Sequence, residues 1–202
     1  MTKKPTGIKT SIRIDSSGVH RETTDFPQTK AEIELLMAEA FCTAKPALNP
    51  QLNRYGRFFE LEQQGENSID FKVQTEIGPK WIELAEFAPL TYYNAMYENV
   101  PIAFSVEESK ALFQELIEHK SQKSYRSDVI LLIHKTHNAL SVPPPIIRSV
   151  RKELENSPPP FEAIYYISAD SVDHAATWQV WPNDLRDEGP VFNTGNIKVG
   201  ID

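Results

Sequence analysis

A continuous apolar run, Val-Ile-Leu-Leu-Ile at residues 129–133, constrains the fold of this chain more than any other feature. Five apolar residues are too few for a helix, and the run lacks the alternation of a strand that has one wet face. It is therefore predicted to be a strand buried on both faces. Such a strand needs a sheet that is covered by other elements from both sides.

The segment that follows this run has the features of a βαβ unit. Proline triplets at 143–145 and 158–160 bracket a short amphipathic stretch, and a second apolar run follows at 163–167. Proline is favoured in the first turn of a helix and cannot continue one, so a helix is predicted at about 144–155. Two strands joined through a crossover helix are expected to lie parallel, with a right-handed connection.

Upstream of this unit the sequence predicts a helix, an antiparallel meander and a second helix. Thr29 with Glu32 and Ser105 with Glu108 have the spacing of capping boxes, so helices are expected to begin after Thr29 and after Ser105. The second of these helices is predicted to span 106–121. Between the two helices lie three β-type runs separated by short turn segments, at 57–63, 68–75 and 80–87.

We expect one α/β domain with an addition at each end. Residues 29–168 hold the predicted core, and residues 1–28 are expected to form an N-terminal arm or hairpin. Residues 169–202 are rich in Asp, Asn and Gly, and they are predicted to be an irregular acidic tail packed on the core. The acidic residues concentrate in the body, because residues 1–30 carry six basic and three acidic side chains whereas residues 31–202 carry 15 and 25.

The composition argues against several classes of protein. A net charge of −7 is unfavourable for a general nucleic-acid coat or a membrane-surface protein, since both need dense positive charge. No stretch approaches the roughly 20 apolar residues that span a bilayer, and no signal peptide is evident, so no membrane association and a cytoplasmic location are expected. The single cysteine, Cys42, is interpreted as a small core residue.

The element order αβββαβ resembles the core of the PD-(D/E)XK, or restriction-endonuclease-like, superfamily, in which helices flank a central mixed sheet. In that family the second meander strand carries an Asp, and the third carries an acidic residue, any residue and then a lysine. The matching positions here are Asp70 and Glu83, and a Glu of the first helix, Glu34 or Glu39, would join them. The resemblance implies a nuclease whose carboxylates and Leu84 carbonyl hold Mg²⁺, a cation that prefers oxygen ligands.

The sequence departs from this family at the lysine position, which is Ala85. Strand alternation directs Glu86 to the opposite face, so Glu86 cannot replace the lysine. Lys72, two residues after the Asp of the motif, is the best candidate for a relocated lysine. Lys110 on the following helix is a weaker one.

Two functions follow from these observations. The favoured one is a noncatalytic, degenerate nuclease-fold protein that acts through contact with an unknown protein partner and needs no cofactor. It rests on the missing lysine, the acidic body and an aromatic-rich connection at residues 89–97. The alternative is a Mg²⁺-dependent nuclease (phosphodiesterase) with Asp70, Glu83 and Glu34 as metal ligands and Lys72 as the catalytic lysine. Only this alternative would bind nucleic acid.

His134 and His137 follow the apolar run, at the strand end where α/β sheets tend to bind ligands. Residues three apart on a strand point to opposite faces, so the two rings would converge only if the strand ended or turned at Lys135. Hydrogen bonds at the strand end are their expected use, and a role in a site stays open.

Overall fold

The chain has a mixed α/β fold, with three helices, one seven-stranded sheet and a separate two-stranded sheet in the part described. The α/β class predicted from the sequence is thus confirmed. The computed structural model describes residues 8–43, 53–65, 68–93, 96, 99–101, 104–137, 140–171, 174–184 and 191–192.

The seven strands of the main sheet are ordered as they occur in the chain. The first three form an antiparallel meander, the third to the fifth are parallel, and the last two return antiparallel. The meander and the parallel pair at the centre agree with the sequence-based prediction. The strands are β3 (Phe58–Gln63), β4 (Phe71–Thr75), β5 (Gly78–Glu86), β6 (Val129–His134), β7 (Ala163–Ser171), β8 (His174–Trp181) and β9 (Val191–Phe192).

Three helices cover the two faces of this sheet. They are α1 (Lys30–Cys42), α2 (Val106–Ser121) and α3 (Pro144–Leu154). Both predicted capping boxes are present, at Thr29 and Ser105, and each satisfies backbone N–H groups that the first helical turn leaves without partners. Among the described helices, the longest of which has 16 residues, none could span a bilayer.

Strand β6 is buried on both faces, as its apolar run predicts. Ile130 and Leu132 pack in the core on the α1 side, whereas Leu131 and Ile133 pack in the core beneath α2 and α3. Side chains alternate along a strand, so one strand contributes to two separate cores. Strand β5 pairs in parallel with this central strand, and the pairing fixes the position of Glu83 on β5.

A hairpin precedes the main body of the fold. Strands β1 (Ile8–Asp15) and β2 (Gly18–Asp25) pair antiparallel over their full length. Gly18 follows the turn with φ +133°, a backbone conformation that residues other than glycine rarely adopt. Residues 1–7 of the predicted arm lie outside the described residues.

The segment 169–202, predicted to be an irregular tail, contains regular strands instead. Strand β7 continues to Ser171, and β8 pairs with it, so the sheet extends beyond residue 168. Burial explains the difference, because Thr177, Gln179 and Val180 of β8 are inaccessible to solvent and the ring of Trp178 lies 5.6 Å from that of Tyr166. Of the remaining tail, 185–190 and 193–202 lie outside the described residues.

Candidate functional site

The candidate site lies beside β5, where this strand extends past the start of its neighbour β4. The pairing of these two strands begins at Phe71 and Ile82, so the backbone of Leu84 faces side chains instead of a strand. Asp70 Oδ2 accepts a hydrogen bond from Leu84 N at 2.7 Å, and Lys120 Nζ donates to Leu84 O at 2.9 Å. Two side chains thus replace the backbone partners that a longer β4 would have supplied.

Glu83, the second predicted acid, is buried and surrounded by donors. Lys120 Nζ lies 2.7 Å from Glu83 Oε1, and Tyr125 donates its hydroxyl to the same oxygen at 3.1 Å. Lys123 Nζ is farther from it, at 3.7 Å. Only 8% of the Glu83 side chain and 17% of the Lys120 side chain are exposed, so this ion pair is largely removed from water. Such a charge pair is costly to break, because one buried charge would then have no partner.

Helix α2 determines the position of Lys120. Phe113 and Ile117 are buried in the core under this helix, and Lys120 follows them by seven and three residues, which places all three on one side of the helix. The lysine stem therefore runs toward the sheet. Its ammonium lies at the carboxyl end of α2, where the helix dipole favours a positive charge.

These groups border a polar cleft of about 470 Å³. Asp70 and Glu83, the two acids that the sequence motif predicts, both line it, together with the backbone of Leu84. Basic and hydroxyl-bearing side chains make up most of the remaining wall: Lys30, Ser68, Ile69, Lys120, Lys123, Ser124, Tyr125 and Arg126.

The cleft changes the acidity of Asp70. Burial raises the pKa of this carboxyl above its ordinary value, and the charge of Glu83 raises it further. The hydrogen bond from Leu84 N and the charges of Lys120 and Lys30 act in the opposite direction. Partial burial among both signs of charge is a common feature of functional sites, although structural ion-pair networks produce it as well.

The pKa of Glu34, the predicted third acid, is affected by the charges of this cluster. Burial raises the pKa of Glu34, the ion pair with Lys30 lowers it, and the charges of Asp70 and Lys120 contribute with opposite signs. Lys30 Nζ lies 3.1 Å from Glu34 Oε1, one helical turn away on α1. Glu34 itself does not line the cleft, and its carboxylate is already paired with Lys30.

The two lysines proposed as replacements for the family lysine lie elsewhere. Lys72 is in β4 opposite Trp81 on one side and Glu62 on the other, and it does not line the cleft. Lys110 points to α3, where it forms an ion pair with Glu153. Lys30, Lys120 and Lys123 line the cleft instead, and Lys120 is the lysine that hydrogen bonds to Glu83 and Leu84. Its position on the buried side of α2, in phase with apolar residues, is the sequence signal that identifies it.

The cleft does not suit a magnesium ion as its residues are arranged. The donors are of the right kind, since carboxylate and carbonyl oxygens are the ligands that Mg²⁺ prefers. However, Glu83 Oε1 and Leu84 O are both hydrogen bonded to Lys120 Nζ, and Asp70 Oδ2 is hydrogen bonded to Leu84 N. Across the described residues, no group of three or more His, Cys, Asp or Glu side chains is placed to hold a metal ion.

The two histidines do not form a pair at this cleft. His134 is the last residue of β6 and is buried, and burial lowers its pKa to about 4, so its ring is neutral at pH 7. Within the described part of the chain, its Nδ1 has no hydrogen-bond partner. His137 lies beyond the strand, and burial together with the charge of Lys135 lowers its pKa. A neutral buried ring has the properties of a packing residue at the strand end.

A second, mainly apolar groove of about 300 Å³ lies between the carboxyl end of β5 and α2. Tyr92 stands at this groove with 59% of its surface exposed, and its hydroxyl lies 2.9 and 2.8 Å from the two carboxylate oxygens of Glu115. Positions 94, 95 and 97 of the aromatic connection lie outside the described residues. The groove is lined by Glu86, Phe87, Ala88, Pro89, Tyr92, Leu112, Glu115, Leu116 and His119.

Comparison with known proteins finds no matching family model, no similar curated protein and no similar solved structure.

Proposed function

We propose that this protein is a noncatalytic member of the restriction-endonuclease-like class and that it acts by binding another protein. The proposed fold family rests on the element order, on the mixed sheet and on the location of Asp70 and Glu83 at the edge of β5. A shared fold does not imply a shared activity, so the function is argued from the site itself.

One observation supports the absence of catalysis more than any other. Lys120 Nζ donates to Glu83 Oε1 at 2.7 Å and to Leu84 O at 2.9 Å. These are two of the oxygens that a nuclease of this class would use for its metal. Ala85 occupies the lysine position of the motif and is itself buried in the core beneath α2, where it packs as a small apolar residue.

The groove beside Tyr92 is the proposed contact surface. It combines apolar side chains with acidic groups, a composition suited to a partner segment that presents an apolar side chain next to Lys or Arg. Exposed aromatic residues contribute disproportionately to protein interfaces, because they bury a large area with few rotatable bonds. Residues 31–202 carry more acidic than basic side chains, and this negative charge would attract a basic partner at distances beyond direct contact.

A cleavage assay tests the noncatalytic part of this proposal. The full chain is incubated with plasmid DNA, single-stranded DNA and RNA in the presence of Mg²⁺ or Mn²⁺, beside the Asp70→Ala variant. We expect the wild type to cleave no more than the variant does. Cleavage by the wild type that Asp70→Ala abolishes would refute the proposal, whereas equal cleavage by both would identify a contaminating nuclease.

A capture experiment tests the contact surface. Wild-type protein, Glu115→Lys and Glu118→Lys are used as baits in an extract of the native host. Glu115 lines the groove, whereas Glu118 is exposed on the same helix and does not line it. We expect a stoichiometric protein that Glu115→Lys fails to capture and Glu118→Lys retains. Recovery of the same proteins by all three baits would count against the groove.

One arrangement favours the nuclease alternative. An ammonium, two carboxylates and a backbone carbonyl meet in the same cleft, so Lys120 would take the role first assigned to Lys72. This alternative requires Lys120 to release both Glu83 and Leu84 before a metal could bind. Cleavage that is lost in Lys120→Met and kept in Lys72→Met would establish it.

A further inference from the structure

We propose that the cleft beside β5 binds the phosphate group of a small phosphomonoester through the three bases at its mouth, Lys30, Lys123 and Arg126. Four basic and two acidic side chains line this cleft, a surplus of two positive charges. An anion is therefore the kind of ligand that the cleft suits. The cleft shares no lining residue with the groove beside Tyr92, so it is a second site, independent of the partner proposed for that groove.

The basic and acidic side chains of this region differ in their exposure to solvent. The three bases at the mouth are between 60% and 85% exposed, whereas each of their ion-pair partners is at most 25% exposed. The pairs are Lys30 with Glu34, Lys123 with Glu83, and Arg126 with Asp128. Of these acids, Glu34 and Asp128 do not line the cleft. A ligand that approaches from solvent therefore meets positive charge first.

The charges in the interior of the cleft largely offset one another. Lys120 Nζ donates to Glu83 Oε1 and to Leu84 O, so this ammonium is already bound within the cleft. Asp70 is the other acid of the lining, and it accepts a hydrogen bond from Leu84 N. The positive surplus of the lining therefore belongs to the bases at the mouth.

Lys123 and Arg126 have hydrogen-bond donors available for a ligand. Lys123 Nζ lies 3.7 Å from Glu83 Oε1, which exceeds the ordinary length of a hydrogen bond. Asp128 accepts from Nε and Nη2 of Arg126 at 2.9 and 3.0 Å, and a guanidinium has further N–H groups for a second acceptor. The Trp81 ring lies 5.1 Å from Arg126 Cζ and helps to hold the guanidinium in place. A planar guanidinium beside an ammonium is a favourable combination for phosphate oxygens.

The size of the cleft and the charge of the surrounding body favour a small ligand. A volume of about 470 Å³ falls in the range of small-molecule sites. Residues 31–202 carry 25 acidic and 15 basic side chains, so a long polyanion would extend from the cleft over a body that repels it. A phosphomonoester carries a compact charge of about −1.5 to −2 at pH 7, which matches the surplus of the lining.

Calorimetric titrations of the full chain test this site in a phosphate-free buffer at fixed chloride concentration. The probes are ribose 5-phosphate, inorganic phosphate and a short oligothymidylate. The proteins are the wild type, Lys123→Ala, Arg126→Ala and Lys152→Ala. Lys152 is exposed on α3 and does not line the cleft, so its variant removes the same charge elsewhere.

We expect the wild type to bind ribose 5-phosphate saturably and inorganic phosphate to compete with it. The affinity for ribose 5-phosphate should fall at least about tenfold in Lys123→Ala and in Arg126→Ala, because each variant loses a charged donor to the phosphate. Lys152→Ala should bind as the wild type does. Both substituted side chains at the mouth are mostly exposed, so the variants are expected to fold, and circular dichroism checks this.

Four outcomes would overturn this inference. The wild type might bind neither phosphate probe saturably, the two variants at the mouth could leave the affinity unchanged, or Lys152→Ala could lower it equally. The fourth outcome is an oligothymidylate that binds more tightly than ribose 5-phosphate and is lost in Lys123→Ala and Arg126→Ala. That result would identify a polynucleotide as the ligand in place of a small phosphomonoester.

Discussion

Asp70 Oδ2 accepts a hydrogen bond from the backbone N–H of Leu84 at 2.7 Å, in the place where the meander lacks a strand partner. Strand β4 begins one residue after Asp70, so the carboxylate completes the edge of β5 that β4 does not reach. The residue identified by the sequence motif therefore has a structural task that is independent of any chemistry.

Removing the acceptor at residue 70 should destabilise the fold. Asp70→Ala leaves the N–H of buried Leu84 without this partner, at an expected cost of about 1–3 kcal/mol in the free energy of unfolding. Asp70→Asn keeps an oxygen acceptor and removes a carboxylate that burial disfavours, so its stability at pH 7 should equal or exceed that of the wild type. Urea unfolding of the three proteins checks this, and equal losses in both variants would contradict it.

Glu83 and Lys120 should be strongly coupled. Each single substitution, Glu83→Gln or Lys120→Met, removes the nearest charge partner of the other member of a largely buried ion pair, so we expect losses of about 3 kcal/mol. In the double variant neither charge remains, and the coupling energy from the cycle should be about 1–3 kcal/mol. Chemical denaturation measures all four proteins. Additive losses would mean that the pair contributes no specific interaction.

Stability should fall as the pH is lowered through the titration range of His134. Burial lowers the pKa of His134 from 6.5 to about 4, so the unfolded chain binds a proton that the folded protein does not. The free energy of unfolding therefore decreases as the pH falls from about 6.5 to about 4, by up to about 3 kcal/mol from this residue.

A matched variant isolates this contribution from those of the acids. Burial raises the pKa values of Asp70 and Glu34, so their protonation changes stability in the opposite direction at acid pH. His134→Leu should flatten the wild-type slope between pH 6.5 and 4 while it leaves the contributions of the acids in place. Identical slopes in the two proteins would show that His134 is not the group responsible.

Gln179 of β8 should be more sensitive to substitution than Asp184, one of its hydrogen-bond partners. Its buried carboxamide donates from Nε2 to Pro182 O at 2.6 Å and to Asp184 Oδ1 at 2.7 Å, and Arg54 Nη2 lies 2.6 Å from Asp184 Oδ2. Gln179→Ala leaves several polar groups without this partner, so a loss of about 2 kcal/mol is expected. The Asp184 side chain is half exposed, so Asp184→Ala should lower the free energy of unfolding by less than about 1 kcal/mol. Thermal unfolding checks both, and a larger loss in Asp184→Ala would reverse the assignment.

Local patterns were sufficient to predict most elements of this fold. The apolar run of β6, the proline triplets around α3 and the two capping boxes each depend on interactions within one segment, and the structure contains all four elements. The prediction for 169–202 was wrong over β8. Small and polar residues flank that strand, and its place in the sheet depends on pairing with β7, which accompanies full burial of Gln179 and partial burial of Trp178.

The sequence by itself determined the order of the elements from α1 to β7, the two-sided burial of β6 and the identity of Asp70 and Glu83 as the acids beside the meander. It could not determine which lysine faces them. Lys72 is close to Asp70 along the chain, whereas Lys120 is 37 residues from Glu83 and reaches it only because α2 packs its buried side against the sheet. Charge pairing in a cleft depends on distances across separate elements, and those distances are set by packing in the tertiary structure.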